Sequence, residues 1–80
     1  MDIILKLKEI IIKSMELDLT PNEIDGSDLI YELGINSVDA LEILVWVESE
    51  FDIQIEDEDL NAELLSSLDG LSTYVTSKIR

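Results

Sequence analysis

The stretch Gly34-Ile35-Asn36-Ser37-Val38-Asp39-Ala40-Leu41-Glu42 decides how the rest of the chain is read. A glycine stops one element, a short polar pair follows, and an almost unbroken apolar run begins. That order describes a loop entering a helix. Asn36 suits the N-cap, and Asp39 three residues on favours the positive first turn. With Asn36 supplying the capping oxygen, Ser37 takes the first helical position with its hydroxyl free. A free hydroxyl at a positive helix end is a place where phosphate can be held. A serine that merely opens a helix is the plainer alternative.

Outward from Ser37, the residues predict a helix over 37–50. At about 100° per residue, Ala40, Ile43, Leu44, Val47 and Phe51 gather on one side as a core face. The opposite side of an ordinary surface helix is polar. Here it carries Val38, Leu41 and Val45, bordered by Asp39, Glu42 and Glu48. A second apolar stripe with an acidic border reads as a docking surface, unless a long loop folds over it. Trp46 falls between the two faces and is expected to pack, with its indole nitrogen near the surface.

The run Leu33-Gly34-Ile35-Asn36-Ser37-Val38-Asp39-Ala40-Leu41-Glu42-Ile43 closely resembles the attachment motif of acyl carrier proteins, whose usual form is Leu-Gly-x-Asp-Ser-Leu before an acidic, apolar helix. The resemblance continues through Glu48-Ser49-Glu50-Phe51-Asp52-Ile53-Gln54-Ile55 to Asp57, and spans essentially the whole chain. It implies 4'-phosphopantetheine on Ser37 as a phosphodiester, delivered from coenzyme A by a phosphopantetheinyl transferase. It also implies acyl-transferring, synthase or ligase enzymes with basic docking patches, gripping the helix at Val38, Asp39, Leu41, Glu42, Val45 and Glu48. Two positions depart from the usual motif: Asn36 stands in place of aspartate and Val38 in place of leucine. Both lie where modifying and client enzymes touch, so they bear on which enzymes those are.

Eighty residues make one small domain, taken as 1–80, near the lower limit for a single core. Cysteine and histidine are both absent, so there is no disulfide framework, no thiolate metal site and no imidazole base. A serine nucleophile lacks its base, and the carboxylates fall in mutually repelling clusters with no matched acid–base pair. No enzyme is expected, and any reactive thiol arrives on a cofactor. The run Glu56-Asp57-Glu58-Asp59 lacks the spacing of a calcium loop, so no dedicated metal site is expected, only loose divalent binding.

The net charge is −14, and all five basic residues lie near the ends: Lys6, Lys8, Lys13, Lys78 and Arg80. Between Ser14 and Ser77 stand seventeen acids and no base. Such a belt repels nucleic acid and anionic lipid and attracts basic protein surfaces. Disorder is the usual alternative for so acidic a chain, but a 46% hydrophobic content in periodic patterns argues for a folded domain, and a monomer is expected. Lys6, Lys8, Glu9 and Lys13 interrupt the apolar residues after Met1, and Ile43 to Val47 is too short to span a bilayer. A cytoplasmic protein without membrane insertion is expected.

In chain order, Ile3, Ile4, Leu7, Ile10, Ile11 and Met15 predict a first helix over 2–16, with Leu5 and Ile12 widening its apolar stripe. Its lysines are placed to pair with the acidic belt. A long connection follows to Asn36, anchored by Leu19, Ile24, Leu29, Ile30 and Leu33, with Ser27 or Asp28 capping one helical turn that ends at Gly34. Phe51 to Ile55 alternates but has no second strand to pair with, so it reads as a loop with Ile53 and Ile55 inward. A short third helix is expected through Leu60 and Leu64. A last helix is capped by Ser66 or Ser67, carries Asp69 in its first turn and Lys78 and Arg80 in its last, and turns Leu68, Leu71, Val75 and Ile79 to the core. The fold expected is all-α: a small four-helix bundle of three longer helices plus the short third one, with a long first loop.

The function expected is an acyl carrier, holding thioesters for fatty acid or a specialised lipid or polyketide pathway. A peptidyl or aminoacyl carrier is the near alternative, although its usual Gly-Gly-x-Ser contrasts with the single glycine of Gly34-Ile35-Asn36-Ser37. An unmodified acidic helical adaptor is the alternative from another class.

Overall fold

The computed structural model describes residues 2–79. Four α-helices carry the fold: α1 Ile3–Met15, α2 Leu29–Leu33, α3 Ser37–Phe51 and α4 Leu68–Lys78. Single 3-10 turns occur at Pro21–Glu23, Asp57–Asp59 and Ala62–Leu65, and no strand occurs among the described residues. None of the helices is long and apolar enough to cross a membrane.

Each helix starts where a short polar side chain can satisfy its open N–H groups. Asp2 accepts from Leu5 N–H at 3.1 Å, Asp28 from Tyr31 N–H at 3.2 Å, and Ser67 Oγ from Gly70 N–H at 2.9 Å. Helix α1 ends at Glu16, which turns left-handed at φ 52° and lets Leu17 N–H reach back to Ile12 O at 2.9 Å.

Helix α1 lies against α3 and α4. Leu7, Ile10 and Ile11 meet Ala40, Ile43, Leu44 and Val47 from α3 and Leu68, Leu71 and Val75 from α4 in one core. Every buried side chain in it is hydrophobic. Burying one such Leu, Ile or Val contributes about 1.5–3 kcal/mol relative to leaving it exposed, so this shared interior holds the helices together.

The 20-residue connection from Leu17 to Asn36 is packed down, with Ile24, Leu29 and Ile35 buried. Its lock is polar. The Glu32 carboxylate accepts Asp25 N–H at 2.8 Å and Gly26 N–H at 2.9 Å, tying α2 back onto the loop. Gly26 carbonyl then accepts Leu68 N–H at 2.8 Å, which joins the loop to the start of α4. Gly26 sits at φ +87°, and a Cβ there would stand 2.8 Å from Leu68 Cβ. Both the backbone conformation and the close approach require glycine.

Several expectations need correction. The segment 57–65 is not an α-helix but two 3-10 turns, because Asp57–Asp59 closes on itself and Asn61 then caps a new turn through Glu63 N–H. The phenol of Tyr74 holds this segment to α4, donating to Asp59 at 2.9 Å and accepting Glu56 N–H at 3.4 Å. Burial, then the Asp59 hydrogen bond, raises the Tyr74 pKa above the usual phenol value. Leu5 does not extend the buried stripe of α1 but is exposed. Ile79 is exposed too, since α4 ends at Lys78 and the backbone extends there. Trp46 is not core packing: it remains 39% exposed. Phe51 and Ile53 are half-buried, and Ile55 is buried. The expectation for Arg80 lies outside the described residues.

Candidate functional site

Gly34 sets up the site. Its left-handed backbone at φ 66° ends α2, and Ile35 N–H then bonds Ile30 O at 3.1 Å, which drives the Ile35 side chain into the core. The next residue, Asn36, is extended, and its Oδ1 accepts Asp39 N–H at 2.8 Å as the N-cap of α3. Ala40 N–H bonds Asn36 O at 2.9 Å. Ser37 therefore stands at the first helical position, exposed, anchored on one side by Ile35 and on the other by Ala40.

With Asn36 acting as the cap, Ser37 Oγ takes part in no hydrogen bond among the described residues. The N–H groups of Ser37 and Val38 also have no protein partner there, and both open from the positive end of a 15-residue helix. The cap itself is a neutral amide rather than a carboxylate, so it adds no negative charge beside Ser37. A hydroxyl acceptor with two open N–H donors and the helix dipole fits a phosphodiester at this place. It does not by itself make a catalyst. The described residues hold no group of three carboxylates placed to bind a metal ion.

Beyond Ser37 the two sides of α3 diverge. Ala40, Ile43, Leu44 and Val47 are fully buried, whereas Val38, Leu41 and Val45 are 72%, 49% and 51% exposed. The long connection does not cover the outer set. Asp39 and Glu42 border it, and neither forms an ion pair among the described residues. Glu48 is placed differently. Its carboxylate accepts Ile55 N–H at 2.8 Å and is half-buried, so it braces the turn after α3.

The bases among the described residues lie on α1 and at the end of α4. Lys6 pairs with Glu50 at 2.8 Å and Lys78 with Glu56 at 3.4 Å, both at the surface. The hydrogen bond and charge of Lys6 lower the Glu50 pKa, and Glu50 raises that of Lys6. A cleft of about 390 Å³ lined by Lys6, Ile10, Lys13, Leu19 and Glu50 involves none of the residues around Ser37.

Two features escape a reading of the sequence alone. Glu32 reaches six and seven residues back along a turn whose shape depends on Gly26 meeting Leu68. Only the glycine hints at it. Trp46 carries the composition signal of a core residue, yet it stays exposed outside the core cluster.

A model of the phosphopantetheine attachment site matches residues 6–75. An acyl carrier protein of Bdellovibrio bacteriovorus is 34% identical over 74 residues, covering 91% of this chain and 90% of that protein. An acyl carrier protein of Clostridium acetobutylicum is 36% identical over 70 residues, covering 88% and 87% respectively.

Proposed function

From the premise that this chain belongs to the acyl carrier protein family, we propose that Ser37 Oγ is the attachment point of its 4'-phosphopantetheine. We propose further that the outer stripe of α3 is the face its enzymes grip. Carrying acyl groups on a covalent 4'-phosphopantetheine follows from the family itself, as does interaction with a phosphopantetheinyl transferase and with acyl-handling enzymes. The observation that carries the assignment to Ser37 is that Asn36 Oδ1, not Ser37 Oγ, caps α3.

When bound, the arm supplies a terminal thiol that holds the acyl group as a thioester. The chain's own residues do the rest. Ser37 Oγ is the nucleophile toward the coenzyme A phosphorus that bears the pantetheine arm. The new P–O bond forms as the pyrophosphate P–O bond breaks and adenosine 3',5'-bisphosphate leaves. The hydroxyl proton goes to a base of the transferase, since no side chain of this chain hydrogen-bonds Ser37 Oγ among the described residues. The open N–H groups of Ser37 and Val38 would hold the phosphodiester group. Gly34, Ile35 and Glu32 keep the helix start in place while partners come and go. Val38, Leu41 and Val45 give partners an apolar contact, and Asp39 and Glu42 draw in basic surfaces, speeding encounters without making complexes permanent. Glu48 is assigned to the same face through its border position, although its carboxylate is engaged with Ile55.

We assign the cargo to the acyl class rather than to peptidyl or aminoacyl groups, because Gly34 stands alone before Ser37. Asn36 and Val38 favour a specialised lipid or polyketide pathway over a general fatty acid one. The carrier works as a monomer in the cytoplasm and is not itself a catalyst. The test is intact mass after incubation with coenzyme A and a phosphopantetheinyl transferase. Wild-type protein gains the mass of one phosphopantetheine; Ser37→Ala gains none, with helical circular dichroism and melting nearly unchanged. A Ser37→Ala protein that is still modified would sink the assignment.

A further inference from the structure

We infer that Trp46 is the seat for an arginine side chain of the transferase, a cation-binding element beyond the apolar stripe of α3; this rests on the docking reading above. Trp46 lies nine residues along the helix from Ser37, about 14 Å at 1.5 Å per residue. A partner gripping both ends of that span covers a length that an ordinary interface reaches easily.

The surroundings of Trp46 select the occupant. At about 100° per residue, Asp39, Glu42 and Glu50 all point within about 40° of its direction, with Glu42 one turn before and Glu50 one turn after. A shallow cavity of about 380 Å³ opens there, lined by Val45, Trp46, Ser49 and Glu50. Glu50 is engaged by Lys6 at 2.8 Å, while Glu42 forms no ion pair among the described residues. The aromatic face has no cation over it either: among the described residues the cation–aromatic contact is that of Lys78 on Tyr74.

An indole one helical turn from an unpaired carboxylate suits a guanidinium more than any other common side chain. The planar cation stacks on the ring and turns one edge of N–H donors to Glu42. An apolar partner residue would leave Glu42 facing it unpaired. A second copy of this chain would bring another −14 charges to the same place.

The test uses loading of the intact protein by a phosphopantetheinyl transferase. Trp46→Leu keeps apolar bulk and removes the π face, so its KM should rise about 2- to 5-fold with kcat unchanged, and Trp46→Phe should fall between. In the double variant Trp46→Leu/Glu42→Gln the KM should rise by less than the product of the single effects, since one guanidinium serves both groups. Trp46 is the single tryptophan, so 5-fluorotryptophan labelling gives one fluorine resonance, which should shift on adding unlabelled transferase. If Trp46→Leu loads like wild type while Val45→Ser raises KM, the docking face stands and the arginine seat is wrong. If neither raises KM, the docking reading falls and takes the inference with it. Multiplicative single effects overturn the shared guanidinium, as does a fluorine resonance unmoved by transferase. A resonance that moves with the carrier's own concentration assigns the face to a second copy and also overturns the inference.

Discussion

The two faces of α3 use the same kinds of residue to opposite ends. Ile43, Leu44 and Val47 look inward and are buried; Val38, Leu41 and Val45 look outward and meet solvent. Composition does not separate them, because both sets are aliphatic. Direction does: α1 covers one side, and neither the connection 17–36 nor the turns at 57–65 closes over the other. The lesson is that an apolar residue states a need for contact, while the fold decides whether that contact is made within the chain or left for another.

Matched substitutions on the two faces give the largest expected difference. Val47→Ser buries a hydroxyl and leaves a void, and should lower unfolding free energy by about 2–4 kcal/mol. Val45→Ser removes no core packing and should stay within about 0.5 kcal/mol of wild type, yet slow transferase loading. Urea melts of both variants decide it; equal losses would mean that the outer stripe is covered core.

A smaller contrast lies between the acids of the same helix. Glu48→Ala strips the half-buried Ile55 N–H of its acceptor and should cost about 1–3 kcal/mol. Glu42 accepts no hydrogen bond among the described residues, so Glu42→Ala should leave melting unchanged and act on association alone. Similar melts for the two would place Glu48 on the docking side only.

Charge reversal sharpens the outer face further. Glu42→Lys and Asp39→Lys should each slow loading in dilute buffer, and the defect should shrink in about 1 M salt, where the screening length falls to about 3 Å. Reduced loading that ignores salt would mean that these acids act by shape rather than by attraction.

The smallest effect belongs to the exposed Lys6–Glu50 pair. Glu50 titrates below its usual range in the folded protein, so its contribution is present above the unfolded pKa and fades as pH falls through the folded one. Lys6 titrates above its usual range, so its contribution is present below the unfolded lysine pKa and fades as pH rises through the folded one. Melting of wild type minus Glu50→Gln should therefore show a shallow plateau across neutral pH, dropping at acid and alkaline ends. A difference that stays flat through both ends would show that the pair contributes nothing.

Local chemistry made much of this protein legible. Asn36 before Ser37, Asp2 before Ile3 and Ser67 before Leu68 announce helix starts because a short polar side chain satisfies open N–H groups within three residues. The 3.6-residue recurrence of apolar side chains marks the inner faces of α1, α3 and α4 for the same reason of proximity. The position of Ser37 and its free hydroxyl were likewise readable from its immediate neighbours.

What the tertiary structure alone decided lies at longer reach. Whether Leu5 is covered depends on which helix comes alongside, and no residue nearby in sequence carries that information. The first turn of the run 57–65 is tied to α4 by Tyr74, fifteen residues after Asp59. Glu32 finds Asp25 and Gly26 only because Gly26 is pressed against Leu68 from the far end of the chain. Caps and periodicity act over a turn or two of backbone, so the sequence declares them by itself. Coverage and polar locks join segments that meet only when the core closes, and the shape of that core is what determines them.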